Sequence, residues 1–199
     1  MIAVSDVELV LASTSRYRRE LLARLTPNLR CVTPEVDETP RPGEAPEALA
    51  ARLAQAKARD VAARSLGTFV IGSDQVCDID GRAYGKPGSV ERACAQLEAS
   101  SGRTVLFHTA VCLIDARRAA MREYAALDTT RVVLRKLDAA EIARYVEREQ
   151  PLDCAGSFKC EALGIALFER IESQDPTALI GLPLIAVCTL LRAAGVRVV

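Results

Sequence analysis

The sequence predicts an α/β fold with a mixed sheet in a single domain, and three observations support this prediction. First, apolar runs of strand length alternate with longer segments in which apolar residues recur at helical spacing. Second, two long strand-like stretches, 103–115 and 121–134, are joined by the polar segment 116–120, which is typical of an antiparallel pair. Third, no internal repeat, low-complexity tract or long linker divides the chain. We therefore expect a single domain over residues 1–199.

The first half of the chain contains predicted strands that end in polar turns, and two predicted helices. Hydroxyl side chains at 13–15 are suited to capping a helix, and Pro46 is a favoured residue in a first helical turn. The acidic, proline-rich segment between the helices is predicted as a loop. The predicted elements are, in order, strand 8–12, a helix that follows Ser15, strand 30–33, loop 34–46, helix 46–64 and the central strand 68–73.

The second half begins with a turn at 78–81, which is predicted to fold 75–76 and 83–84 into a hairpin. A Gly-Lys-Pro-Gly turn at 85–88 then breaks the chain before the next helix. The remaining predicted elements are helix 90–99, the antiparallel pair described above, helix 139–149, an apolar stretch at 162–171 and helix 183–194.

Composition excludes several classes of function. The 26 basic and 26 acidic residues cancel, which argues against nucleic acid or a membrane as a partner but not against a small phosphorylated ligand. Seven cysteines without a C-x-x-C pair and a single histidine argue against a zinc site. Asp6 and Glu8 interrupt any leader, and the longest apolar run, 178–191, is shorter than the ~20 residues that span a bilayer. We expect a cytoplasmic protein with reduced cysteines.

Asp74 is the first candidate catalytic residue, because it directly follows the predicted central strand. Ligands of α/β proteins bind at the carboxyl ends of such strands. Glu38, in the acidic loop, could share a divalent cation with Asp74 in an all-oxygen site. The alternative for Asp74 is an ordinary turn-starting residue.

Lys57 is the second candidate, because it interrupts the apolar stripe formed by Leu49, Leu53 and Val61. A lysine on the core side of a helix is costly unless it meets an anion or reaches a cleft. The alternative is that its long stem extends to water. Arginines at 52, 59 and 64 are free to solubilise the other faces of this helix.

Two further segments could bind phosphate. Residues 13–19 place hydroxyls and three arginines at a helix start, although they lack the glycines of a P-loop. The alternative is a helix cap followed by a solvated basic face. Lys86, in the Gly-Lys-Pro-Gly turn, is either a phosphate contact or an exposed turn lysine. His108 alternates within a strand and is interpreted as structural.

An ordered set of motifs covers nearly the whole chain and resembles the Maf family of nucleoside triphosphate pyrophosphatases. These motifs are Leu11-Ala-Ser-Thr-Ser-x-x-Arg18, Val36-Asp-Glu38, Ala56-Lys57-Ala58, Ser73-Asp-Gln-Val76, Gly85-Lys-Pro87, Cys154-Ala-Gly-Ser-Phe-Lys-Cys-Glu161 and Ile180-Gly-Leu-Pro-Leu184. The resemblance implies a curved mixed sheet flanked by helices, two lobes around a nucleotide-binding cleft, and a homodimer.

The resemblance also implies hydrolysis between the α and β phosphates of a nucleoside triphosphate, with Mg²⁺ or Mn²⁺ as cofactor. Asp74 would be the base or a metal ligand, and Glu38 the other metal ligand. The triphosphate would be held by Arg18, Lys57, Lys86 and Ser13.

Within the family, the chain resembles the branch that acts on 7-methyl-GTP. Tyr17, Gln75 and Glu161 support this branch, since an aromatic face attracts the cationic methylated ring and a carboxylate accepts hydrogen bonds from guanine. That branch usually has Pro-Trp where this chain has Arg16-Tyr17, and often Ser at Cys160. The alternatives are a dTTP/UTP pyrophosphatase, and a nucleotide-binding regulator of septum formation with incidental hydrolysis.

Overall fold

The computed structural model describes all residues, 1–199, and confirms the predicted α/β class. The strands are β1 (Ile2–Ala3), β2 (Leu9–Leu11), β3 (Leu29–Cys31), β4 (Phe69–Ile79), β5 (Arg82–Tyr84), β6 (Thr104–Asp115), β7 (Arg122–Leu134), β8 (Phe168–Glu172) and β9 (Val196–Arg197). The α-helices are α1 (Arg16–Leu22), α2 (Pro46–Ala62), α3 (Val90–Ser100), α4 (Ala139–Glu149) and α5 (Leu184–Ala193). Short 3₁₀ helices span Val4–Asp6, Ala155–Ser157, Leu163–Leu167 and Ala178–Ile180.

The main sheet is mixed, with strand order β3-β2-β4-β6-β7-β8. Strands β3, β2 and β4 are parallel, whereas β6, β7 and β8 are added to β4 in antiparallel fashion. The predicted antiparallel pair is confirmed as β6 and β7. Strands β1 and β9 form a separate two-stranded parallel sheet. No helix combines the length and the apolar character that a membrane span requires.

Strand β4 extends beyond its predicted end at Ser73. It continues to Ile79, because β6 pairs with it without interruption from Phe69 to Asp78. Asp74 therefore lies within a strand, and its interpretation as a turn residue is wrong. The predicted hairpin is present with a different register, since β5 pairs with residues 77–79 through a two-residue turn.

One edge of β4 is unpaired where Asp74 lies. On that edge, β2 pairs only with residues 69–71, and β5 begins to pair only at Cys77. The chain leaves β2 at Ala12 and turns into α1. Residues 72–76 consequently have a strand neighbour on one side only, and the gap opens beyond the carboxyl end of β2. Asp74 was predicted at the carboxyl end of the central strand, but it lies within β4, beyond the carboxyl end of the neighbouring β2.

Helices cover both faces of the sheet, and the buried apolar residues form three clusters. Helix α2 packs on one face of β4 and β6, and α5 packs on the opposite face. Helices α3 and α4 enclose the third cluster, around Phe107 and Phe158. The contact of α2 with β4 is close because Gly72 has no side chain, since a Cβ there would lie 2.3 Å from the carbonyl oxygen of Ala54. This close packing brings Lys57 within reach of Asp74.

Candidate active site

A cleft of about 850 Å³ opens at the unpaired edge of β4, a volume within the range of small-molecule sites. Its apolar lining comes from two core clusters: Leu49 and Leu53 belong to the cluster between α2 and the sheet, and Phe107 and Phe158 belong to the cluster enclosed by α3 and α4. All of the predicted site residues line it, namely Ser13, Tyr17, Arg18, Glu38, Lys57, Asp74, Gln75, Lys86 and Glu161. The fold therefore gathers residues from across the sequence into one concave surface.

Lys57 forms the centre of the cleft floor. Its side chain is buried, and its Nζ donates to Asp74 Oδ1 at 2.6 Å and forms an ion pair with Glu38 Oε1 at 2.9 Å. The interpretation that this lysine extends to water is therefore wrong. Removing a lysine and a carboxylate from water is costly, and the ion pair with its hydrogen bond offsets that cost. The ammonium thus holds two acids at one point.

Asp74 keeps one carboxylate oxygen available for chemistry. Its Oδ1 accepts the hydrogen bond from Lys57, whereas Oδ2 has no partner in the chain and is not fully buried. The neighbouring Ser73 faces the other way, and its hydroxyl donates to the carbonyl oxygens of Ala110 and Gly181. Alternation along β4 therefore places Ser73 in the protein interior and Asp74 in the cleft.

Arg18 lies in the first turn of α1 as a cation without an anionic partner. Its Nε donates to the carbonyl oxygen of Gly181 at 2.9 Å, and it forms no ion pair. Burial lowers its pKa, while the negative charges of Asp74 and Glu38 act in the opposite direction. An arginine remains charged in proteins, so a bound anion would stabilise this guanidinium.

The start of α1 and the turn after β5 complete the polar wall of the cleft. Ser15 caps the helix by accepting from the backbone N–H of Arg18, and Ser13 accepts from the N–H of Ser15. The hydroxyl of Ser13 remains a free donor towards the cleft. Lys86 is exposed and forms no ion pair within the chain. Both positions can donate to a phosphate oxygen.

Tyr17 has a cation on its ring before any ligand binds. The guanidinium of Arg16 lies 4.7 Å from the ring centroid, and its Nη2 donates to Tyr17 Oη at 2.7 Å. Burial is the main reason that the pKa of Tyr17 is raised to about 12. This aromatic face is the predicted contact for a cationic base, so Arg16 and the base would compete for it.

Gln75 has contacts that sequence analysis did not predict. Its Nε2 donates to the carbonyl oxygens of Ala178 and Leu179 and to Thr109 Oγ1, at 2.9 to 3.1 Å. These bonds attach the 3₁₀ helix Ala178–Ile180 to the sheet, directly before the Gly181 carbonyl that binds Arg18. The amide nitrogen is thereby engaged by the protein, whereas Glu161 is exposed on the rim of the cleft.

Comparison with known proteins decides the family. A family profile described as "Maf-like protein" matches residues 8–194. The chain belongs to the Maf family. It is 63% identical to a 7-methyl-GTP pyrophosphatase of Xanthomonas oryzae pv. oryzae over 187 residues, which cover 94% of this chain and 96% of the relative. A Burkholderia thailandensis protein of the same name is 56% identical over 196 residues, with coverage of 97% and 90%.

A two-carboxylate metal site is compatible with this Maf cleft. No group of three or more histidine, cysteine or acidic side chains that could hold a metal ion is present. Glu38 and Asp74 do converge on the same ammonium, and both offer oxygen ligands. Mg²⁺ is commonly bound by one or two carboxylates together with substrate phosphates and water. The donor set therefore suits a metal that arrives with a triphosphate.

Arg52 positions the Glu38 loop, a role that the sequence pattern did not predict. Its guanidinium forms two hydrogen bonds to the Glu44 carboxylate, at 2.6 and 2.8 Å, and a third to the carbonyl oxygen of Thr39. Arg59 and Arg64 are exposed and form ion pairs at the surface, in agreement with a solvated helix face, whereas Arg52 is mostly buried against Glu44. No local spacing marks the Arg52 contact, because Glu44 lies in the loop before α2.

Proposed function

We propose that this Maf protein hydrolyses 7-methyl-GTP to 7-methyl-GMP and pyrophosphate. The observation that carries the proposal is the buried Lys57 ammonium, which holds Asp74 and Glu38 in a cleft that also contains two cations without anionic partners, Arg18 and Lys86. The names of the relatives support the same reaction. A cleft with free cations and a positioned acid suits the hydrolysis of an anionic phosphate ester or anhydride.

The triphosphate binds across the polar wall of the cleft. Arg18 donates its unused Nη groups to phosphate oxygens, and Lys86 donates from the turn after β5. The hydroxyl of Ser13 supplies a neutral donor beside them. Ser13 is held by the turn before α1 and Arg18 by the Gly181 carbonyl, so the orientation of these two donors is set before the substrate binds.

Glu38 is proposed to hold Mg²⁺ or Mn²⁺ together with the triphosphate, with Asp74 beside it as the base. When bound, such an ion neutralises the charge that develops on phosphate oxygens and acidifies a bound water molecule. Lys57 keeps the two carboxylates close together, and the free Oδ2 of Asp74 faces the cleft.

Asp74 accepts a proton from the attacking water. The water oxygen forms a bond to the α phosphorus. The bond from that phosphorus to the oxygen that bridges the α and β phosphates breaks, and pyrophosphate leaves with the bridging oxygen. One proton of the water remains on the new phosphate hydroxyl and the other passes to Asp74 Oδ2, from which it returns to solvent.

The base is proposed to bind between Tyr17 and Glu161. N7-methylation leaves the guanine ring positively charged, which favours an aromatic face and a nearby carboxylate. Glu161 can accept hydrogen bonds from the guanine N1–H and 2-amino groups. Gln75 contributes to selection through the segment that it anchors, since its amide nitrogen is bonded to that backbone.

The test is pyrophosphate release from 7-methyl-GTP, GTP, dTTP, UTP and CTP, with Mg²⁺, with Mn²⁺ and with chelator. We expect 7-methyl-GTP to have the highest kcat/KM, turnover to stop in chelator, and Glu161→Gln to reduce the preference for 7-methyl-GTP over GTP. Faster turnover of dTTP and UTP would contradict the proposed substrate. Nucleotide binding without any turnover would favour a binding protein.

We further propose that the protein is a cytoplasmic homodimer. All seven cysteines are free, which is typical of proteins in reducing compartments. The dimer is an expectation from the family resemblance alone. Analytical ultracentrifugation at micromolar concentration tests it, with a mass near 43 kDa expected, twice the 21.5 kDa of the chain. A mass equal to that of one chain would contradict it.

A further inference from the structure

Gln96, on α3, bonds to two neighbouring loops that both line the cleft. Its Oε1 accepts from the hydroxyl of Ser157 at 2.6 Å, and its Nε2 donates to the carbonyl oxygen of Gly85 at 3.1 Å. Gly85 directly precedes Lys86, which is proposed to bind phosphate. Ser157 lies in segment 154–161, which ends at the proposed base contact Glu161.

We infer that Gln96 is a positioning residue, which fixes the phosphate-binding Lys86 turn relative to the base-binding segment 154–161. The inference rests on the proposed function for its kinetic consequences. It assigns Gln96 no contact with substrate. Its effect would pass through the two loops, which carry the proposed phosphate contact Lys86 and the proposed base contact Glu161.

The turn in segment 154–161 is attached to α3 by the contact with Gln96. Ser157 is fully buried, has a positive φ of 61° and donates its only side-chain hydrogen bond to Gln96. Gly156 also has a positive φ, and a Cβ there would lie 2.6 Å from the Phe107 ring. Leaving a buried hydroxyl without a partner is costly, so the contact with Gln96 holds this tight turn in place.

The far end of the same segment is attached separately. Lys159 donates through its backbone N–H to Tyr145 Oη and through its Nζ to the carbonyl oxygen of Glu149. The Lys86 turn has one backbone link to the region, from the N–H of Gly88 to the carbonyl oxygen of Leu152. Gln96 is the side chain that connects the Ser157 turn with Gly85.

A primary amide is needed to form both bonds, because it donates and accepts at once. In Gln96→Glu the carboxylate still accepts from Ser157 but cannot donate to the Gly85 carbonyl. Ser157→Ala has the opposite effect, and Ala occupies the same positive φ without added atoms. Gln96→Leu removes both bonds. Glu98→Gln, an exposed α3 substitution with no side-chain bond, is the matched control.

The kinetic test is KM, kcat and the kcat/KM ratio of 7-methyl-GTP to GTP. We expect Gln96→Glu to raise KM for both nucleotides by about threefold to tenfold with little change in the ratio, because one hydrogen bond is lost on the phosphate side. Ser157→Ala should instead lower the ratio by a similar factor. Gln96→Leu should both raise KM and lower the ratio, and Glu98→Gln should change neither quantity.

Amide hydrogen exchange without nucleotide tests the same inference independently of activity. We expect faster exchange at 85–88 in Gln96→Glu, at 154–161 in Ser157→Ala, and at both in Gln96→Leu. Wild-type exchange and kinetics in Gln96→Leu would overturn the inference. If the wild-type protein turned over no nucleotide, the proposed function would fail, while the exchange pattern would still decide whether Gln96 joins the two loops.

Discussion

The Nζ of Lys57 lies 2.6 Å from Asp74 Oδ1, which joins the middle of α2 to the middle of β4 at the cleft floor. Two features make this distance attainable. Gly72 lets the helix approach the strand, and β2 ends before it would cover Asp74. The pair is therefore both a structural contact between the two elements and the centre of the proposed chemistry.

Lys57→Met should destabilise the protein, because it leaves Asp74 and Glu38 close together without a cation. Breaking a buried ion pair costs roughly 3–5 kcal/mol, and the open side of the cleft places the expected loss at the lower end. Urea unfolding measures it, with Arg59→Met as a control that breaks an exposed pair on the same helix. The double variant Lys57→Met/Asp74→Asn should recover part of the loss. Equal effects of Lys57→Met and Arg59→Met would contradict this prediction.

Gly72→Ala should reduce both stability and turnover. The added Cβ would lie 2.6 Å from the backbone nitrogen of Ala58, so α2 must move away from β4 and carry Lys57 with it. Overpacking of this kind costs about 1–3 kcal/mol. Gly85→Ala is the stability control, since that glycine has an ordinary φ and nothing within 4 Å of the added Cβ. Similar unfolding midpoints for the two variants would refute the close-packing explanation.

The contact between Arg52 and Glu44 should make the stability of the Glu38 loop depend on pH. Hydrogen bonding to Arg52 is the main cause that lowers the pKa of Glu44 to about 2 from 4.5. Because the folded-state pKa is the lower one, the stabilisation is present above pH 4.5 and is lost as the pH falls towards 2. Glu44→Gln should therefore be less stable than wild type at pH 7 by an amount that shrinks in acid. A difference that does not change between pH 7 and pH 3 would count against this linkage.

Arg16→Ala should increase the preference for 7-methyl-GTP over GTP. The guanidinium of Arg16 lies on the Tyr17 ring, and a cation–π contact is worth roughly 0.5–2 kcal/mol. Its removal frees the ring for the cationic base, so the ratio of kcat/KM values should rise about threefold. Arg19→Ala, an exposed α1 substitution of equal charge, controls for the weaker attraction of the triphosphate. A ratio that is unchanged in both variants would show that the base does not use this face.

Sequence patterns predicted a site residue where a polar side chain interrupts a hydrophobic pattern. Lys57 was detectable because it interrupts an apolar stripe, and the long strands β6 and β7 were detectable from their apolar content. The continuity of β4 was not detectable, since Asp74 looks like a turn residue and is held extended only by pairing with β6. Pairing partners are a tertiary property that one sequence does not display.

Polar residues that act through distant backbone groups gave no signal. Gln96 and Arg52 look like ordinary solvated helix residues, although both anchor loops of the site. Gln75 was identified, but its bonds to Ala178 and Leu179 span more than 100 residues of sequence. The loop conformation decides which carbonyl oxygen accepts a hydrogen bond from such an amide, and the periodicity of the sequence does not predict that conformation.

The most direct test is the rate of 7-methyl-GMP and pyrophosphate formation from 7-methyl-GTP by wild type and by Asp74→Asn. The asparagine has nearly the same shape but cannot accept the proton, so we expect a loss of kcat of at least about 100-fold. Calorimetry of Asp74→Asn should show 7-methyl-GTP bound within about tenfold of the wild-type KM. Turnover by Asp74→Asn near the wild-type rate would contradict the central role of Asp74.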